Sequence, residues 1–194
     1  MKLKTLPLPD AEVTYYPNFL SPIEADSFFE MLKKEVPWQQ DDIKIFGKVY
    51  AQPRLTALYG NNGKPYSYSN ITMYPNEYSA PLLKLSEKLK IYSTVEFTTC
   101  LLNLYRDGKD SNGWHADDEK ELGINPPIAS ISLGASRYFH LKHKTNKTYK
   151  AKILLEHGSL LLMTGATQHH YKHQIAKTAK LIGERINLTF RRIV

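Results

Sequence analysis

The sequence predicts an α+β fold that is mainly β, with a jelly-roll core behind N-terminal helices. Three observations predict it. Two amphipathic helix-length segments lie before residue 92, and seven strand-length segments separated by turns fill the chain from residue 98 onward. The 194 residues suffice for one domain, alone or with a lid. The expected organisation is residues 1–97 as helices and lid and residues 98–194 as the core, in one integrated domain.

The first helix starts at Ser21-Pro22-Ile23-Glu24. Ser21 can accept from an orphan backbone N–H, Pro22 suits the first turn, and Glu24 completes a capping box. Ile23, Phe28, Met31 and Leu32 supply an apolar face, and Pro37 marks the exit. A second helix is expected over 79–91, with Leu82, Leu85 and Leu89 on one side and Lys84, Glu87 and Lys88 on the other. Residues 38–78, with six tyrosines and the turn signal Gly60-Asn61-Asn62-Gly63, read as short strands and loops with exposed aromatics. Strands follow at 98–106, 128–133, 138–143, 150–155, 159–163, 169–175 and 185–193.

Composition narrows the function. The 26 basic and 19 acidic residues leave a net charge of +7, which favours a phosphate-bearing partner. The single cysteine, Cys100, excludes a disulfide framework and a Cys-rich zinc site, and it fits a reducing compartment. No stretch approaches the roughly 18 apolar residues of a membrane helix, and Pro7 and Pro9 interrupt any signal peptide. The expectation is a monomer that is soluble, unprocessed and intracellular, with no membrane partner.

Three polar patterns on strands carry chemistry. In Trp114-His115-Ala116-Asp117, residues i and i+2 of an extended segment share a side, so His115 and Asp117 converge. An imidazole and a carboxylate are two of the three ligands of a non-haem iron triad; zinc accepts the same donors, and a surface hydrogen bond uses them too. The third ligand would come from His140, His143, His157, His169, His170 or His173, and spacing does not choose among them. The closing strand places Arg185, Asn187, Thr189 and Arg191 on one face and Ile186, Leu188 and Phe190 on the other. If the polar face lines a barrel interior, its guanidiniums suit a dicarboxylate, which they bind bidentately. Asn103 and Tyr105 likewise face one way.

In chain order, Asn103-x-Tyr105, Gly108-x-Asp110, His115-x-Asp117, a late histidine and Arg185-x-Asn187-x-Thr189-Phe190-Arg191 resemble the AlkB family, over roughly residues 45–194. That family consists of Fe(II)- and 2-oxoglutarate-dependent dioxygenases that repair alkylated nucleobases on a double-stranded β-helix. The resemblance implies His115, Asp117 and His173 as iron ligands. It also implies that Arg185 takes the far carboxylate of 2-oxoglutarate, with Asn103, Tyr105, Asn187, Thr189 and Arg191 around it. It implies O2 as oxidant and release of succinate, CO2 and formaldehyde, with 1-methyladenine and 3-methylcytosine as model lesions.

The segment Pro53-Arg54 … Tyr59-Gly60, then Tyr66-Ser67-Tyr68-Ser69, resembles the nucleotide-recognition lid of the duplex-DNA repair subgroup. By that comparison Tyr66, Tyr68 and Arg54 contact substrate, with Tyr68 stacked on the extruded base. Asp118 and Glu119 would favour a cationic methylated base, and Phe46 in Ile45-Phe46-Gly47-Lys48 would fill the gap it leaves. The basic stretch Lys142, His143, Lys144, Lys147, Lys150 and Lys152 would grip phosphate. The expected partner is nucleic acid, with DNA ahead of RNA. A binding module with a vestigial metal site is the alternative from a different class.

Overall fold

A computed structural model describes residues 3–45, 48–68 and 71–193. The N-terminal half contributes β1 (Lys4–Thr5), β2 (Glu12–Tyr16), α1 (Pro22–Glu35), β3 (Asp42–Ile45), β4 (Lys48–Ala51) and β5 (Leu55–Gly60). It continues with β6 (Tyr66–Tyr68), β7 (Ile71–Met73), β8 (Asn76–Glu77) and α2 (Ala80–Leu89). The C-terminal half contributes β9 (Thr99–Tyr105), β10 (Asn112–His115), β11 (Ile128–Gly134), β12 (Arg137–His143) and β13 (Lys150–Leu155). It closes with β14 (Ser159–Thr164), a helical turn α3 (Thr167–His170), β15 (Tyr171–Ile175) and β16 (Arg185–Arg191).

These strands form an eight-stranded sheet, β1-β2-β14-β11-β16-β9-β5-β8, and a four-stranded sheet, β10-β15-β12-β13. The sheets pack face to face as a jelly roll. The alternation of side chains shows how: Leu102 and Leu104 of β9 and Ile186, Leu188 and Phe190 of β16 lie with Leu32, Leu82 and Leu85 of α1 and α2. Leu101 and Tyr105 of β9 point the other way and meet Phe139, Leu141 and Ile175 of the smaller sheet. The large sheet is therefore covered on both faces, and every residue of β9 and β16 is buried. The inner-facing polar residues of β16 are held inside the sandwich.

The first helix forms for the reason its sequence indicates. Ser21 Oγ accepts from the Glu24 N–H, and the Glu24 carboxylate accepts from the Ser21 N–H. That carboxylate also takes Lys88 Nζ at 2.6 Å, which joins α1 to α2. The β11–β12 turn needs Gly134, whose φ of +81° suits glycine and where a Cβ would collide with the Glu184 carbonyl and the Phe29 ring.

Several expectations are corrected. Residues 38–78 are not all exposed strands and loops: β5 is an interior strand of the large sheet, paired with β9, and Tyr59 and Tyr66 are buried. β2, a strand not among those expected from the sequence, pairs with β14 some 145 residues away, a partner invisible to local pattern. The strand expected at 169–175 begins at Tyr171, because the His170 N–H bonds the Ala166 carbonyl at 3.0 Å and closes a helical turn. His169 therefore does not share a strand face with His173. The second helix spans Ala80–Leu89, shorter than the expected 79–91, and its Ser79 cap makes no side-chain hydrogen bond. Among the described residues, no helix is long and apolar enough to cross a membrane.

Leu188 is fully buried between α-helical and sheet side chains. Leu188→Ala is expected to lower the free energy of unfolding by about 2–5 kcal/mol, read as a shifted urea midpoint with unchanged slope.

Candidate active site

The two sheets bring three metal-type donors together at one end of their interface. His115 ends β10 and lies directly opposite His173 of β15 in the antiparallel register. Their rings stand 4.2 Å apart at 67°, and Phe139 stacks on His173 at 5.1 Å. Asp117 follows two residues after His115 and is buried. Its N–H donates to Gln168 Oε1 at 3.0 Å, and its Oδ1 accepts from Arg191 Nη2 at 2.7 Å. Its Oδ2 lies 3.8 Å from His173 Nε2, and one donor atom from each of the three residues falls within 4.8 Å of the others.

Protonation suits ligation. His115 Nδ1 is 2.7 Å from the Gly113 carbonyl, which can only accept, so Nδ1 carries the proton and Nε2 keeps its lone pair. Burial opposes ionisation of Asp117, but the Arg191 guanidinium outweighs it and holds the carboxyl at about 2. Burial, then the neighbouring His115, pushes His173 down to about 3, and burial also lowers His115. Two neutral imidazoles and a carboxylate are the donor set of a facial iron triad.

A second cluster, Asp10, His143 and His170, also gathers within 4.8 Å. There His143 Nδ1 accepts the N–H groups of Thr145 and Asn146, which puts the proton on Nε2, the atom facing Asp10. That nitrogen has no lone pair to offer, so the first cluster is the one suited to a metal.

Beside the triad, the inner face of β16 presents buried cations. Arg185 is 1% exposed; its Nη2 donates to Ser132 Oγ at 2.9 Å, while Nε and Nη1 have no hydrogen-bond partner. Burial pushes it down to about 10, and its guanidinium lies over the Tyr105 ring, 5.2 Å away. Arg191 Nε and Nη1 are likewise without a partner. Buried donors left unmade cost about 1–3 kcal/mol each, so a cavity holding four of them fits an anion with several acceptor oxygens. A dicarboxylate between Arg185 and the triad meets that requirement, and the residues fit both iron and 2-oxoglutarate.

The remaining expected residues fall into distinct places. Asn103, Tyr105, Asn187 and Thr189 all line the same cavity as the triad and the arginines. Asn187 is committed to protein: its Nδ2 donates to Ser130 Oγ and the Ile131 carbonyl, and its Oδ1 accepts from Thr189. Tyr66, expected to touch substrate, is 1% exposed and stands 5.1 Å from the Arg191 guanidinium. Glu119 lines the cavity, and burial and then Asp117 raise its carboxyl. Asp118 does not: it is exposed and paired with Lys144 at 2.7 Å. Arg54 lines the cavity but bonds Asn103 and the Ser111 carbonyl. Phe46 and the side chain of Tyr68 lie outside the described residues. Among the lysines of the hairpin, Lys142 lies over Trp114 at 4.2 Å and Lys152 over Tyr138 at 3.7 Å.

Three supporting residues escaped the sequence reading. Ser130 and Ser132 accept from Asn187 and Arg185, and the signal was their alternation within an otherwise apolar strand. Gln168, which fixes Asp117, left no local signal.

The chain matches the family model described as "2OG-Fe(II) oxygenase superfamily" over residues 12–191. It is 44% identical to the alpha-ketoglutarate-dependent dioxygenase alkB homolog 3 of Bos taurus, over 94% of this chain and 66% of that protein. It is 36% identical to the DNA oxidative demethylase ALKBH2 of Homo sapiens, over 88% of this chain and 69% of that protein. The chain thus spans about two thirds of the length of these relatives. Among solved structures, OsALKBH1 matches with a TM-score of 0.71 over 98% of this chain and 100% of that one; at 18% identity the likeness is one of fold.

Calorimetric titration with Mn(II) under argon is expected to show one tight site. Asp117→Ala should weaken it by at least about 100-fold, because the only anionic donor of the cluster is lost while Arg191 stays.

Proposed function

Because the chain belongs to the AlkB family of the 2OG-Fe(II) oxygenase superfamily, we propose that it is an oxidative demethylase of N-alkylated nucleobases in DNA. The observation that carries the reading is Arg185, whose buried Nε and Nη1 have no hydrogen-bond partner and which lines the same cavity as the His115–Asp117–His173 cluster. When bound, iron and 2-oxoglutarate would supply the oxidation: 2-oxoglutarate and O2 give succinate and CO2, with one oxygen atom entering succinate and the other the methyl C–H bond.

The chain's own residues position and exclude. His115, Asp117 and His173 would hold the metal through three protein donors. Arg185 would take the far carboxylate through Nε and Nη1, with Tyr105 walling that end. Arg191 keeps Asp117 ionised and turned toward His173. Asn187, Thr189 and Ser130 bond one another along the cavity wall between the two arginines, so their polar groups are already satisfied there.

The product of hydroxylation is an N-hydroxymethyl base, which loses formaldehyde as the nitrogen regains the C–N electron pair. A base methylated at N1 of adenine or N3 of cytosine is cationic, and Glu119 is the carboxyl on the cavity wall nearest in sequence to the metal ligands. Burial, and then the Asp117 charge, raises the Glu119 carboxyl, and a cationic base beside it would favour the ionised form. The net charge of +7 supports nucleic acid as the partner, and the single, buried, free Cys100 fits a reducing cell interior.

The test loads the protein anaerobically with Fe(II) and 2-oxoglutarate, admits O2 with a methylated oligonucleotide, and measures formaldehyde and succinate. Both are expected in equal amounts, with a higher rate on DNA than on matched RNA. Arg185→Ala should raise the KM for 2-oxoglutarate about 10–100-fold, the value of one or two charged hydrogen bonds. Succinate without demethylation would reject the substrate, and neither product would reject the enzyme.

A further inference from the structure

Arg54 is a cation placed where the two sheets meet. It precedes β5, is 5% exposed, and lines the same cavity as the triad and Arg185. Its Nε donates to Asn103 Oδ1 at 2.7 Å, and its Nη1 donates to the Ser111 carbonyl at 3.2 Å. Asn103 sits on β9 of the large sheet, whereas Ser111 leads directly into β10 of the small sheet, the strand that carries His115. The same junction is tied a second time, by the Ser111 N–H to the Pro53 carbonyl at 2.8 Å.

An asparagine amide has two faces of opposite hydrogen-bonding sense, and on its own it turns either way. Beside Arg54 it does not. A guanidinium has only donors, so the Asn103 atom that meets it must be the carbonyl oxygen. The amide nitrogen is then the group left for the cavity. In antiparallel register Asn103 pairs with Asn187, two residues along β16 from Arg185, so that nitrogen stands on the stretch of wall where the anion is held. A carboxylate needs donors there, and the opposite orientation would present a repelling carbonyl oxygen instead.

We propose that Arg54 is a positioning residue for the cosubstrate: it locks the Asn103 amide with its N–H group toward 2-oxoglutarate and ties that strand to the metal-ligand strand. The inference rests on the reading of the cavity as a 2-oxoglutarate site. It gives Arg54 a role in the small-molecule half of the reaction and removes it from nucleic-acid contact. Arg54 contributes through geometry, because both of its contacts are with neutral oxygens. A lysine has a single ammonium and cannot span Asn103 and Ser111 in the same way.

The test is a double-mutant cycle in 2-oxoglutarate affinity, measured calorimetrically on Mn(II)-loaded protein without nucleic acid. Oligonucleotide affinity is followed by fluorescence polarisation and folding by thermal denaturation. Arg54→Met is expected to weaken 2-oxoglutarate about tenfold, the value of one charged hydrogen bond. In an Asn103→Ala background the same substitution should cost less than about twofold, because the amide it positions is gone. Arg54→Lys, which keeps charge and bulk, should weaken binding nearly as much as Arg54→Met, and none of the variants should change oligonucleotide affinity more than about twofold.

Losses that add in the double variant overturn the inference, as does full affinity in Arg54→Lys, which would make charge rather than orientation the agent. A loss confined to the oligonucleotide also overturns it and returns Arg54 to substrate contact. Wild-type protein that takes up no 2-oxoglutarate overturns the reading of the cavity itself, a result distinct from the other three.

Discussion

The contact between Arg191 Nη2 and Asp117 Oδ1, 2.7 Å long and fully inside the protein, is the constraint on which the site depends. It joins the large sheet, through β16, to the loop that continues the small sheet's β10. A carboxylate buried this deeply would ordinarily take up a proton, and a protonated acid is a poor metal ligand. The guanidinium reverses that balance and leaves Oδ2 facing His173. The pair is also selected by cost. Removing either partner strands the other as an isolated buried charge, a change of several kcal/mol, whereas the intact pair needs no net help from water.

The same accounting explains Arg185. Its strand is buried on both faces, so its inner polar side chains are withdrawn from water whether or not a ligand is present. Asn187 and Thr189 answer this by bonding one another and Ser130, but Arg185 finds only Ser132 and the face of Tyr105. The protein therefore stores an unmet electrostatic demand next to its metal donors. The proposed cosubstrate has a carboxylate to meet that demand at one end and a keto acid to reach the metal donors at the other, which is how rigid sheet geometry would select it.

Much of this was legible in the chain. The alternation Arg185-x-Asn187-x-Thr189-x-Arg191 announced a strand with one polar face, and His115-x-Asp117 announced two donors on one side. Seven turn-bounded segments announced a sandwich. What alternation does not reveal is what covers each face. That β16 is enclosed depends on helices placed by the capping box at Ser21 and on β5, whose pairing with β9 spans about 45 residues of chain. The position of Gln168 was hidden because the helical turn at Thr167–His170 is set by long-range bonds, including Thr167 Oγ1 to the backbone of Glu12, and carries no local periodicity. Asp118 and Glu119 look alike in sequence, yet one turns out to Lys144 and the other in to the cavity.

The measurement that tests the central claim most directly is an anaerobic crystal structure with Mn(II) and 2-oxoglutarate. The account predicts a metal about 2.0–2.3 Å from His115 Nε2, an Asp117 oxygen and His173 Nε2, with the far carboxylate of the cosubstrate on Arg185 Nε and Nη1. A metal held elsewhere, or a cosubstrate that leaves those two Arg185 nitrogens without an acceptor, would contradict it.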